Sequence, residues 1–195
     1  MAGSSTADQA AFYFDLASPE SYLVAERILR VLPGPCAWRP VLASELRGGI
    51  GFGAWRCAEE REIELSQFER AAARGDLQPV RWPAELPVDS EYALRAATYA
   101  AGIGRAVAFA QAAFRQIYAG GSDLSIPDNV LIAAAACEMH PKAVLTAVQL
   151  RSVHDALASA TQEAATRGVT TVPAIWSAGT VHYGEAGLEA AAAAL

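Results

Sequence analysis

The chain has 195 residues, 53% of them apolar, and a formal net charge of −6, which suits one sizeable core and makes two independent domains an uneconomical reading. Its acidic residues are dispersed and no basic stripe is present, which argues against a nucleic-acid partner and against an anionic membrane surface. No uninterrupted run of about 18 apolar residues occurs, so no bilayer-spanning helix is expected. Cys36, Cys57 and Cys137 are odd in number and widely spaced, a pattern of free thiols rather than of a disulfide framework or a zinc site. His140, His154 and His182 lack ligand spacing, and no metal is expected. The opening Met-Ala-Gly-Ser-Ser-Thr-Ala-Asp-Gln has neither a basic nor an apolar leader segment, and it reads as a mobile tail on a cytoplasmic protein.

In chain order, residues 11–16 read as a buried strand and 20–32 as a helix closed by Pro33-Gly34-Pro35. Residues 36–42 form a second strand, in which Pro40 suits an edge or a strand end. The glycine-rich stretch 48–53 resembles a phosphate loop only superficially, because no Lys-Ser/Thr follows and the glycine spacing is wrong. It reads as a flexible loop, with Trp55 beyond it as cleft wall or core. From 58 to 167 the period is helical, in pieces 58–74, 90–101, 104–119, 127–138, 141–149 and 150–167, with glycines and prolines as stops. Beyond Gly168 come a β-rich segment, a turn at Ser177-Ala178-Gly179, a short strand 180–183 and a helix 186–195. A β-α-β start and a β-β-α finish can complete one mixed sheet. The fold class is therefore α/β, a thioredoxin plan in which residues 11–43 and 168–195 form the sheet domain and 58–167 a helical insertion domain.

The junction Phe12-Tyr-Phe-Asp-Leu-Ala-Ser-Pro-Glu-Ser-Tyr22 carries most of the chemistry. It sets the Ser18 hydroxyl at the positive end of a helix, where unpaired N–H groups favour a bound anion such as a thiolate. The same residues also make an ordinary helix start, with Ser18 as N-cap and Pro19 at the first helical position.

That junction, extended to Leu23, and Gly168-Val-Thr-Thr-Val-Pro-Ala-Ile175 resemble the DsbA-like thioredoxin superfamily, in its 2-hydroxychromene-2-carboxylate isomerase and kappa-class glutathione transferase branch. Phe68 to Pro83 and Ala93 to Ala97 look like that branch's insertion helices, so the resemblance covers nearly the whole chain. It implies that Ser18 hydrogen-bonds the glutathione sulfur and helps to hold it as thiolate. It also implies a cis Pro173, with the Val172 backbone offered to the cysteinyl part of the thiol; the residues alone allow a trans proline at a strand edge. A homodimer is the assembly it suggests. Ser18-Pro19-Glu20-Ser21 stands where redox relatives carry C-x-x-C, and two hydroxyls cannot exchange disulfides.

Two departures concern the ligand. Ala186-Gly187 replace the Asp-Arg pair of the branch, removing a charge-assisted contact to the γ-glutamyl ammonium of about 1.5–3 kcal/mol. Glu185, one position earlier, substitutes for it if the loop is shifted. Asp89 replaces an Asn before the Ala93-Leu94-Arg95 helix, and an ionised Asp repels a carboxylate substrate, unless Asp89 or Ser90 is simply a helix cap. The expected function is a thiol-dependent isomerase or transferase, with glutathione or another low-molecular-weight thiol as cofactor and a conjugated aromatic small molecule as substrate. Tyr22, Trp55, Trp82 and Asp89 are the expected substrate-pocket residues, although core burial explains the three aromatics equally well. A second reading is a binding module that keeps the scaffold and has lost thiol catalysis. A dithiol oxidoreductase ranks last, because no cysteine stands at the helix start.

Overall fold

The computed structural model describes residues 9–195; the expected N-terminal tail lies outside the described residues apart from Gln9. Four strands form one mixed sheet in the order β2-β1-β3-β4: β1 (Ala10–Phe14), β2 (Cys36–Pro40), β3 (Ala174–Ser177) and β4 (Thr180–Tyr183). β1 runs parallel to β2 and antiparallel to β3, and β3 is antiparallel to β4. The parallel pair needs a crossover, which is helix α1 (Pro19–Val31). Pro40 lies at the end of edge strand β2 and pairs with Phe14, where its missing N–H costs no internal ladder bond.

β1 is central and buried at all five positions. Its alternation divides the core: Phe12 and Phe14 join the larger apolar cluster, Ala11 and Tyr13 the smaller. The helices between the sheet's two halves are α2 (Ala58–Arg74), α3 (Glu91–Gly102), α4 (Ala106–Tyr118), α5 (Pro127–Ala135), α6 (Pro141–Ala147) and α7 (Arg151–Thr166). Helix α8 (Gly184–Ala194) follows β4 and packs against α1. The larger cluster is continuous from the sheet into these helices: Phe14 meets Phe114 of α4 with ring centroids 5.7 Å apart, and Tyr22 of α1 stacks on Tyr118 at 5.5 Å. The smaller cluster fills the other face with Val41, Leu46, Ala164 and Val172.

Element ends differ from the expected ones where backbone chemistry intervenes. α5 stops at Ala135, and Glu138 beyond it adopts the left-handed conformation with φ 58°. β3 begins only at Ala174, directly after Pro173, which has no N–H to give a ladder. No described helix is long and apolar enough to cross a membrane.

Candidate functional site

The N-terminus of α1, the turn before β3, the glycine loop after β2 and the start of α8 enclose a pocket of about 360 Å³. Ser18 is on its wall and only 1% exposed. It is the N-cap of α1: Oγ accepts from the Ser21 N–H at 3.1 Å. The hydroxyl hydrogen itself is donated to no group among the described residues. Opposite stands the Val172-Pro173 peptide, which is cis. Pro173 C=O accepts from the Gly184 N–H at 3.1 Å, tying this turn to the start of α8.

The glycine loop is not a detached flexible segment. Its Gly48 N–H donates to Thr170 C=O at 2.7 Å, and the Thr171 hydroxyl donates to Gly49 C=O at 2.7 Å. A side chain at Gly48 would put Cβ 2.8 Å from the Thr170 oxygen, so only glycine allows this approach. The loop thus carries Ile50, Gly51 and Phe52 onto the pocket wall. Tyr183, at the end of β4, completes the frame: its hydroxyl donates to Gly168 C=O at 2.9 Å and accepts from the Thr170 N–H at 3.0 Å.

Beneath Ser18 lies Asp15, 2% exposed. Oδ1 accepts from the Ala17 N–H at 2.9 Å and the Ser90 hydroxyl at 2.6 Å, and Oδ2 accepts from the Ala43 N–H at 3.0 Å. One carboxyl group therefore joins the β1–α1 turn to the segment after β2 and to the start of α3. Burial pushes its pKa up, against the pull of these three donors. Tyr118 donates to Leu16 C=O at 3.0 Å and holds the same turn from the side of α4.

Of the residues singled out from sequence, Ser18, Val172 and Pro173 meet in the pocket. Glu185 does not reach it: its carboxylate accepts from Arg27 at 2.9 Å and lines a separate surface cavity with Arg74 and Glu189. Tyr22 is 2% exposed and packs among Phe68, Phe114 and Tyr118. Trp55 and Trp82 stand one layer behind the pocket, both against Phe52, at 5.2 Å edge-on and 5.9 Å stacked. Asp89 is exposed and its carboxylate accepts from the Glu91 N–H at 3.1 Å, the helix-start role. Ser90 sends its hydroxyl to Asp15 and makes no side-chain cap bond.

Sequence reasoning missed Phe52, Tyr183, Glu20 and Glu64 as pocket residues. Tyr183 stood in the departing C-terminal motif, and Glu20 inside Ser18-Pro19-Glu20-Ser21. Phe52 and Glu64 carried no signal, because only the packing of the glycine loop against α2 brings them in. The three thiols lie elsewhere: none lines the pocket, Cys36 has its pKa pushed up to about 12 by burial, and burial also raises Cys137. The pocket lining has no sulfur of its own to exchange.

A β-α-β unit and a β-β-α unit sharing one sheet, with a helical segment inserted between them and a cis proline facing the N-terminus of the first helix, define a thioredoxin-class protein. The family model for the DSBA-like thioredoxin domain matches residues 9–195, and the chain belongs to that family. A sequence search of curated proteins returns no match. Among solved structures, a 2-hydroxychromene-2-carboxylate isomerase is similar at TM-score 0.75 and 17% identity, over 90% of this chain and 88% of the other. A probable DsbA oxidoreductase from Streptomyces coelicolor is similar at TM-score 0.77 and 17% identity, over 96% and 88%. The cytosolic disulfide reductase DsbM from Pseudomonas aeruginosa, solved with GSH, is similar at 0.63 and 12%, over 92% and 90%.

Proposed function

We propose that this protein binds a low-molecular-weight thiol, glutathione or another, between Ser18 and the Val172-Pro173 turn, and uses it in an isomerase or transferase reaction on a conjugated aromatic substrate. One observation carries the reading: a buried hydroxyl whose hydrogen no described group accepts, at a helix N-terminus, shares with the Val172-Pro173 turn a pocket that no cysteine lines. The fold likeness to the isomerase supports it, as does the GSH in the disulfide reductase. The helix N-terminus and the Ser18 hydroxyl lower the free energy of a thiolate relative to its thiol. In isomerisation the sulfur adds to a conjugated carbon, the former double bond turns as a single bond, and expulsion of the thiolate restores it. In transfer the carbanion left by the addition takes a proton from water and the thioether adduct is released. The protein contributes orientation and charge stabilisation.

A second reading, a binding module without thiol chemistry, is favoured by Glu185: its engagement with Arg27 leaves α8 without a charged anchor for the ammonium of glutathione.

Calorimetric titration of the full chain with reduced glutathione and smaller thiols separates the two. Replacing Ser18 by Ala is expected to weaken thiol binding by about 10-fold or more, the worth of a hydrogen bond to a charged group. Losing the cap also lowers unfolding stability by about 1 kcal/mol, so thermal unfolding of Ser18→Ala must first show a folded protein at the titration temperature. Absence of thiol binding at millimolar concentration would leave the binding module.

A further inference from the structure

We infer that the pocket selects a thiol bearing a protonated amine and no carboxylate, an aminothiol, over an anionic thiol. This rests on the thiol-binding reading above and names the ligand class within it.

Charge carries the inference. Among the eleven residues that line the pocket are two carboxylates, Glu20 and Glu64, and no Lys, Arg or His. Neither carboxylate has a cationic partner among the described residues, whereas Arg27, Arg56, Arg95, Arg105, Arg115, Arg151 and Arg167 are all engaged by other acidic groups. Glu64 is held in place by the Trp55 indole N–H, a neutral donor. Arg61 lies over the Trp55 ring at 5.5 Å and does not line the pocket. Burial and then the charge of Glu185 raise the pKa of Glu20, against the pull of the Glu185 backbone N–H.

The position of the sulfur comes from Ser18, a 1% exposed side chain on the pocket wall that accepts from the Ser21 N–H and whose hydroxyl hydrogen no described group accepts. The carboxylates of α1 and α2 then decide what the rest of the ligand carries. An ammonium group on a short chain from that sulfur meets two carboxylates that have no cationic partner among the described residues, and the rings of Phe52 and Tyr183, which also attract a cation. A ligand carboxylate would meet like charge with no cation to offset it, in a partly desolvated site where screening is weak. Glutathione, with two carboxylates to one ammonium, is a poor match for this wall.

The test titrates the full-length protein with cysteamine, 3-mercaptopropionate, reduced glutathione and ethanolamine, for the wild type and for Glu64→Gln, which keeps an acceptor for Trp55. Cysteamine is expected to bind at least about tenfold more tightly than 3-mercaptopropionate or glutathione. That preference should shrink in Glu64→Gln and on raising the salt concentration. Equal or reversed affinities of cysteamine and 3-mercaptopropionate would overturn the inference while leaving thiol binding intact. Ethanolamine binding as tightly as cysteamine would refute the thiol reading and with it the aminothiol assignment, and silence from all four probes would do the same.

Discussion

Asp15 stands at the residue scale as the side chain on which Ser18 depends, because it holds the turn before α1 through bonds to Ala17, Ala43 and Ser90. Its pKa is raised by burial, so the folded protein takes up this proton at a higher pH than the unfolded chain does. The stability linked to it is fully present below the unfolded value and is lost as pH rises through the folded one. Urea midpoints of wild type and Asp15→Asn, compared from neutral pH downwards, should show the wild type gaining on the variant as the solution is acidified. A pH-independent difference would mean that Asp15 keeps its ordinary pKa. Replacement by Ala leaves three donors without their acceptor and should cost at least about 3 kcal/mol. The place of Ser18 as N-cap of α1 was legible because Ser-Pro after an apolar strand states both a strand end and a helix start. That of Asp15 was not, since its partners at 43 and 90 are remote in sequence.

Among the elements, the loop and helix starts around the pocket are where glycine matters. Gly184 opens α8 at φ 69°, and a Cβ there would clash with Glu20 Oε1. Gly184→Ala combines left-handed strain of about 1–2 kcal/mol with a clash that pushes Glu20 off the pocket mouth. The melting temperature is expected to fall by about 2–4 °C per kcal/mol, with a change in ligand affinity measured by the same calorimetry. An unchanged melting temperature would contradict the strain assigned to that position. The helix limits were legible to within a few residues because proline and glycine act locally. The glycine loop was misread as free because its anchors, Thr170 and Thr171, come from the far end of the chain. Glu185 likewise looked available until α8 packed on α1 and gave its carboxylate to Arg27.

For the whole molecule, the larger core joins sheet and helical insertion through Phe14, Tyr22, Phe114 and Tyr118, all at most 2% exposed. Cutting Phe114 back to Ala should therefore cost about 3–5 kcal/mol and lower the stability of both regions together. Thermal unfolding followed by aromatic and by backbone signals is expected to give one coincident transition; two separate transitions would show that the insertion is held by its own core. By itself the sequence determined the order and type of the elements, the absence of a dithiol at the helix start and the place of Ser18, because periodicity, proline, glycine and capping chemistry act over a few residues. Only the tertiary structure decided that Val172-Pro173 is cis, that Phe52 and Glu64 rather than Trp55 and Asp89 face the pocket, and that its wall carries two carboxylates without a cationic partner among the described residues. Those outcomes depend on which distant segments are pressed together when the core closes, and no local rule contains that information.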